Sequence, residues 1–187
     1  MDQDLVARAQ NGDPGAFRTL AVVSHPRLFK AAYGILRDQD AAQDATQQAL
    51  VGIWRHIRRL RDPARFEGWS YRILVHACYA EAKRTPRRLS DSEIRPTQEP
   101  RAADGFGVVD DRDQLERAFR RLSLDHRAVV ILHHLVDLPL EEVAEALDLR
   151  VGTVKSRLHR AMQELRAAIE ADSRTAPEQR LGREVVR

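Results

Sequence analysis

Cysteine is nearly absent from this chain: Cys78 stands alone among 187 residues. An internal disulfide needs two thiols, so a stapled secreted scaffold is excluded. Aromatics are scarce at 5%, and glycine is sparse at nine residues. That poverty disfavours a turn-rich β-sandwich and favours helices. Long apolar runs are also missing; Ala128 to Leu132 is as long as they become. A membrane-spanning helix needs about 20 consecutive apolar residues, so no membrane insertion is expected. The start, MDQDLVARAQ, is acidic and has no apolar segment, unlike a signal peptide. A cytoplasmic protein is the simplest expectation, built as one ordinary domain or two small ones.

Charge is what the chain does have, at 32% of residues. The net value of +3 hides an uneven distribution. Residues 55–88 hold ten basic and three acidic side chains, whereas residues 89–112 hold three and six. A second basic block, Arg150, Lys155, Arg157, Arg160 and Arg166, is opposed within residues 150–166 by Glu164 alone. Two basic patches separated by an acidic stretch suggest two contacts with a polyanion. Solvated helix faces are the plainer alternative.

Residues 89–112 contain Pro96, Pro100, Gly105 and Gly107 and few large apolar side chains. Such a stretch buries too little surface to offset its ordering entropy and reads as a flexible linker. The expected organisation is all-α: a helical domain over 1–88, the linker, a second helical domain over 113–171 and a frayed tail over 172–187. Each domain is expected to form its own core.

In the first domain, Asp13 followed by Pro14 is a helix start signal. Pro26 predicts a kink or break further on. Ala42, Ala45, Ala49, Ile53, Ile57 and Leu60 recur at three- and four-residue steps, the period of a buried helix stripe over about 40–60. The next helix, over about 65–84, carries Phe66, Trp69, Ile73, Ala77 and Ala80 on one stripe. Arg72, His76, Tyr79 and Lys83 lie on another. That second face combines positive charge with rings, the residue types used for phosphate contact and base stacking.

In the second domain, Ala128, Val129, Leu132 and Leu135 are expected to be buried on a helix over 125–136. The segment LEEVAEALDLRVGTVKSRL, 140–158, has the layout of a helix-turn-helix. Val143, Leu147, Leu149 and Val154 supply the apolar set, and Ala144 is small enough for close helix crossing. Asp148 occupies the turn and tolerates a left-handed backbone better than most side chains. Lys155, Ser156, His159, Arg160 and Gln163 share one outward face of the second helix. A recognition helix inserts such a face into the major groove. An ordinary helical hairpin with a charged surface is the plainer alternative.

No enzyme chemistry is legible. A Ser/His/Asp set lacks the Gly-flanked turn that presents a nucleophile. No glycine-rich phosphate loop is present. His133 and His134 are neighbours on a helix and face different ways, and Cys78 has no further ligands at zinc spacing. No cofactor or metal is expected.

The order of these segments is informative. AAQDATQQALVGIW, then RFEGWSYRILVHACYAEAKR, then LERAFRRLSLDHRAVVILHHLVDLPLEEVAEALDLRVGTVKSRLHRAMQELR resembles the extracytoplasmic-function sigma factors, two-domain bacterial transcription initiation factors, over about residues 5–170. The resemblance implies core RNA polymerase and promoter DNA as partners, with an anti-sigma factor as regulator. It places polymerase binding on Asp44, Gln47, Gln48 and Val51. It places the upstream, minus-thirty-five element on Lys155, Ser156, His159 and Arg160. Capture of the melted minus-ten strand falls to Arg65, Arg72, His76, Tyr79 and Lys83, with the loop Arg59 to Arg65. Many members carry acidic residues where this chain has Ala41, Gln43 and Gln48, and Asn where it has His76. A free-standing helix-turn-helix regulator is the alternative function.

Overall fold

The computed structural model of the chain describes residues 2–84 and 106–184, with side chains for 2–84 and 113–172. The described residues form helices and no strand. In the first half these are α1 (Gln3–Gln10), α2 (Pro14–Leu36), α3 (Gln39–His56) and α4 (Phe66–Arg84). Two single 3-10 turns, Ile57–Arg59 and Pro63–Arg65, link α3 to α4. The second half contains α5 (Phe106–Arg121), α6 (Leu124–Val130), α7 (Leu140–Leu147) and α8 (Val151–Glu184).

Capping explains several of the starts. The Asp13 carboxylate accepts from the amides of Gly15 and Ala16 at 2.8 and 3.0 Å, and Pro14 supplies the preset φ of a first helical residue. Asp38 does the same for Ala41 at the start of α3, and Ser123 for His126 at the start of α6. The first half packs α3 between α2 and α4. Ala42, Ala45 and Ala49 are fully buried, and these small side chains let neighbouring helices approach.

Several expectations need correction. Helix α2 continues through Pro26 instead of stopping there. Proline removes the bond to the carbonyl four residues back, here that of Val22. Val22 is 68% exposed, so water can donate to that carbonyl in place of the missing amide. Ala80 is exposed, not on the core stripe; the buried stripe of α4 runs through Ser70, Leu74, Cys78 and Glu81. Leu135 is 41% exposed. It lies in a π-turn, Ile131–Leu135, where the Val136 amide bonds to the Ile131 carbonyl at 3.0 Å. The wider turn shifts the helical phase, so Leu135 swings out and Leu138 is buried in its place.

The two halves do not have separate cores. One buried cluster runs from Val6 to Val154 and joins Ile35, Ile53 and Leu74 to Val129, Leu132 and Val143. A smaller cluster, including Leu122, Ala161 and Leu165, lies between α5, α6 and α8. Gly34 makes the junction possible: a Cβ there would come within 2.6 Å of Ile131, so α2 can meet the second half only without a side chain. Most of the expected linker, 89–105, lies outside the described residues, and α5 already begins at Phe106. Helix α8 carries on past Ala171 to Glu184, through much of the stretch expected to fray.

Candidate nucleic-acid and polymerase interfaces

The helix-turn-helix forms as its residues dictate. Asp148 ends α7 in the left-handed region, at φ 55°, and the Leu149 amide returns to the Ala144 carbonyl at 2.9 Å. Val143 and Val154 are fully buried between the helices, with Ala144 beside them. This fixes the roll of α8. Lys155, Ser156, His159, Arg160 and Gln163 consequently share its exposed face. The Ser156 hydroxyl donates to the Thr153 carbonyl at 2.9 Å. Arg157 turns away from that face and pairs with Asp125 at 3.1 Å.

On α4, Arg72, His76 and Lys83 are exposed on one side, as their spacing requires. Tyr79 is only partly so. Its hydroxyl donates to the Asp125 carboxylate at 2.6 Å; burial, then that bond, push its pKa up. Arg65 closes the second 3-10 turn and donates to both oxygens of Glu145 at 2.8 and 2.6 Å. A cleft of about 460 Å³ lies here, lined by Arg59, Arg61, Arg65, Trp69 and Arg72 on one side and Glu142 and Glu145 on the other. Phe66 is buried, and Trp69 packs against it with ring centroids 6.1 Å apart.

On α3, Asp44, Gln47, Gln48 and Val51 are exposed along one stripe. Gln48 is not idle: its amide donates to Glu81 of α4 at 3.2 Å. The stripe continues to a residue the sequence reading missed. Trp54, three positions beyond Val51, is 46% exposed and held by Phe17 at 4.5 Å between centroids. The three-residue step from Val51 is the signal that could have found it. Also missed were Asp125, Glu142 and Glu145, whose roles depend on the packing of the two halves. Arg37 was missed for the same reason. It ends α2 at φ 58°, pairs with Glu116 and lies near the rings of Tyr33 and Phe119.

An all-α chain with a helix-turn-helix, a basic helical face and an exposed tryptophan stripe on a third helix is a multi-site binding protein. The family model for sigma-70 region 2 matches residues 21–88, and that for sigma-70 region 4 matches residues 112–165. The chain is 30% identical over 166 residues to the ECF RNA polymerase sigma factor SigM of Mycobacterium tuberculosis, covering 88% of this chain and 82% of SigM. It is 28% identical over 182 residues to the RNA polymerase sigma-H factor of Pseudomonas aeruginosa, covering 90% and 94%. The solved structure of CnrH in complex with the cytosolic domain of CnrY superposes with a TM-score of 0.65 at 25% identity, covering 91% of this chain and 98% of CnrH. The chain belongs to the extracytoplasmic-function sigma factors of the sigma-70 family. Its function is that of an RNA polymerase sigma factor in promoter-directed initiation, and the regulator alternative falls away. No helix among the described residues is long and apolar enough to cross a membrane.

Proposed function

We propose a division of labour along the chain: residues 1–88 bind polymerase and capture the minus-ten strand, 89–112 bridge, and 113–171 read the upstream element. Core polymerase docks on Asp44, Gln47 and Val51, with Trp54 as the aromatic anchor such interfaces favour. Gln48 supports that surface through its bond to Glu81. Lys155, Ser156, His159 and Arg160 enter the major groove at the minus-thirty-five element. Arg65, Arg72, His76, Tyr79 and Lys83 hold the separated minus-ten strand.

The observation that supports this reading most is the single exposed face of α8. Its four candidate residues are all solvent-facing, whereas Arg157, between them in sequence, is paired away from it. The work is binding and strand capture, not covalent chemistry, and it calls for no cofactor. Unstacking costs a few kcal/mol per step, so the exposed base must be held as it leaves the helix. The place of action is the cytoplasm, beside polymerase. CnrH is seen with the cytosolic domain of CnrY bound; a protein partner acting as an anti-sigma factor is proposed for this chain as well.

The test is reconstitution. Core polymerase plus this protein should give transcripts with discrete starts from a library of genomic fragments. Loss of those starts on Lys155→Ala/Arg160→Ala, with core binding retained, supports the assignment of α8. Absence of any promoter-dependent transcript with the unaltered protein refutes the whole reading.

A further inference from the structure

Four arginines crowd the segment between α3 and α4. Arg58, Arg59, Arg61 and Arg65 are all exposed, and Asp62 is the single acidic residue of 57–65. Like charges this close repel, so the segment is held in shape only if its backbone is pinned. Ile57 and Phe66 are buried at its two ends. Within it, the Leu60 amide bonds to the Ile57 carbonyl at 3.1 Å and the Arg65 amide to the Asp62 carbonyl at 3.0 Å. Neither bond fixes the middle of the segment to the rest of the protein.

Helix α1 supplies that tie. The Gln10 side-chain amide donates to the Leu60 carbonyl at 2.5 Å and to the Ile57 carbonyl at 3.3 Å. An amide nitrogen carries two hydrogens, so Gln10 can serve both acceptors at once. Two residues on, Gly12 turns at φ 91°, and a Cβ there would come within 2.8 Å of an Arg58 guanidinium nitrogen. The bare backbone of Gly12 therefore leaves a seat for Arg58 beside the Gln10 contact. Gln10 itself has little freedom. Val6 and Ala9 are buried on α1. The corner between α1 and α2 is closed by the Arg8–Asp13 ion pair at 2.7 Å and by the Asp13 amide on the Arg8 carbonyl at 3.1 Å.

We infer that Gln10 is a positioning residue for strand capture: it fixes the peptide between Leu60 and Arg61, so that Arg59 and Arg61 on either side stand outward before DNA arrives. Gln10 acts through Leu60 and not on the DNA. The advantage is preorganisation, since a segment already ordered loses less conformational entropy when it binds. The inference rests on reading the loop Arg59 to Arg65 as part of the minus-ten capture element.

Three variants of the full chain test this, each assembled with core polymerase on a promoter fragment recovered by the reconstitution. Gln10→Met keeps the length and removes the donor. Gln10→Glu keeps the shape and sets a carboxylate against two carbonyls. Gln10→Lys keeps a donor. Permanganate reactivity of unpaired thymines gives the rate of strand separation, nuclease footprinting gives occupancy of the upstream element, and anisotropy gives core affinity. Gln10→Met and Gln10→Glu should slow strand separation about tenfold, the scale of one to two net hydrogen bonds, with core affinity and the upstream footprint unchanged. Gln10→Lys should separate the strands at nearly the unaltered rate. A general structural role predicts equal losses in all three measurements, and that pattern refutes the inference. So does strand separation by Gln10→Met at the unaltered rate. If circular dichroism shows Gln10→Met unfolded, the other two variants decide: equal rates for glutamate and lysine refute the inference. Unfolding of all three would show that Gln10 holds the fold itself, which refutes it as well. Failure of the sigma-factor reading would look different, since the unaltered protein would then open no fragment with core polymerase.

Discussion

Tyr79 on α4 and Asp125 on α6, 46 residues apart in sequence, share a hydrogen bond of 2.6 Å. The phenol donates, and the second carboxylate oxygen accepts from Arg157. Asp125 thus ties a candidate DNA-facing tyrosine to the recognition helix. A hydrogen bond to a charged acceptor contributes about 1.5–3 kcal/mol, so Tyr79→Phe should lower the free energy of unfolding by about that amount. Urea denaturation followed by circular dichroism measures it. An unchanged midpoint would mean that this bond does not hold the halves together in solution.

Arg127 predicts an effect of opposite sign. Burial, then Arg37, then Arg120 depress its pKa to about 10, and its Nε is buried with no hydrogen-bond partner. The folded state disfavours this charge. A cation whose folded pKa lies below its unfolded value makes stability rise as pH climbs through the folded value, here about 10. Arg127→Met, of comparable length and without charge, should be neutral or stabilising by about 1 kcal/mol at neutral pH. Thermal unfolding of the two proteins decides; a melting point several degrees lower would show that the guanidinium has a partner in solution.

Acid should act first at the start of α2 and at the α5–α8 contact. The Asp13 carboxyl is held below its usual value, chiefly by the Ala16 amide and by Arg8, and Asp172 chiefly by Arg117. A depressed carboxylate contributes stability above its unfolded pKa and loses it as pH falls through the lower folded one. The unfolding midpoint in urea should therefore fall below about pH 4. Asp13→Asn keeps most of the cap but cannot titrate, and its acid limb should be shallower. Parallel curves for the two proteins would contradict this.

Cys78 is fully buried, and burial pushes its thiol up to about 12. The thiolate is the reactive form. The native chain should resist iodoacetamide at about pH 8, and label once urea exposes the core. Mass spectrometry after a timed pulse reads both states. Rapid labelling of the native chain would show that α4 opens locally.

On the upstream element, Lys155→Ala and Arg160→Ala should each weaken duplex binding by about 1–3 kcal/mol for a base contact, or reduce the salt slope by about 1 for a phosphate contact. Titration at three salt concentrations separates the two roles.

Local signals in the sequence were read correctly where a local rule governs them. Asp13–Pro14 starts α2, Asp148 turns left-handed, and Val143 and Val154 fill the crossing. The readings that failed involve long-range packing or a change of helical period. Pro26 looked like a break because the sequence does not reveal that Val22 faces solvent. Leu135 looked buried because a π-turn leaves no trace in three- and four-residue spacing. The junction of the halves was invisible: Gly34 and Ile131 are far apart, and neither carries a motif. The candidate DNA faces were legible as spacings of charged side chains, but not the carboxylates that meet Arg65 and Gly68.

One consequence concerns cooperativity. A single buried cluster joins Ile35, Ile53 and Leu74 to Val129, Leu132 and Val143. Heat or denaturant therefore meets one cooperative unit across that junction, not two that melt in turn.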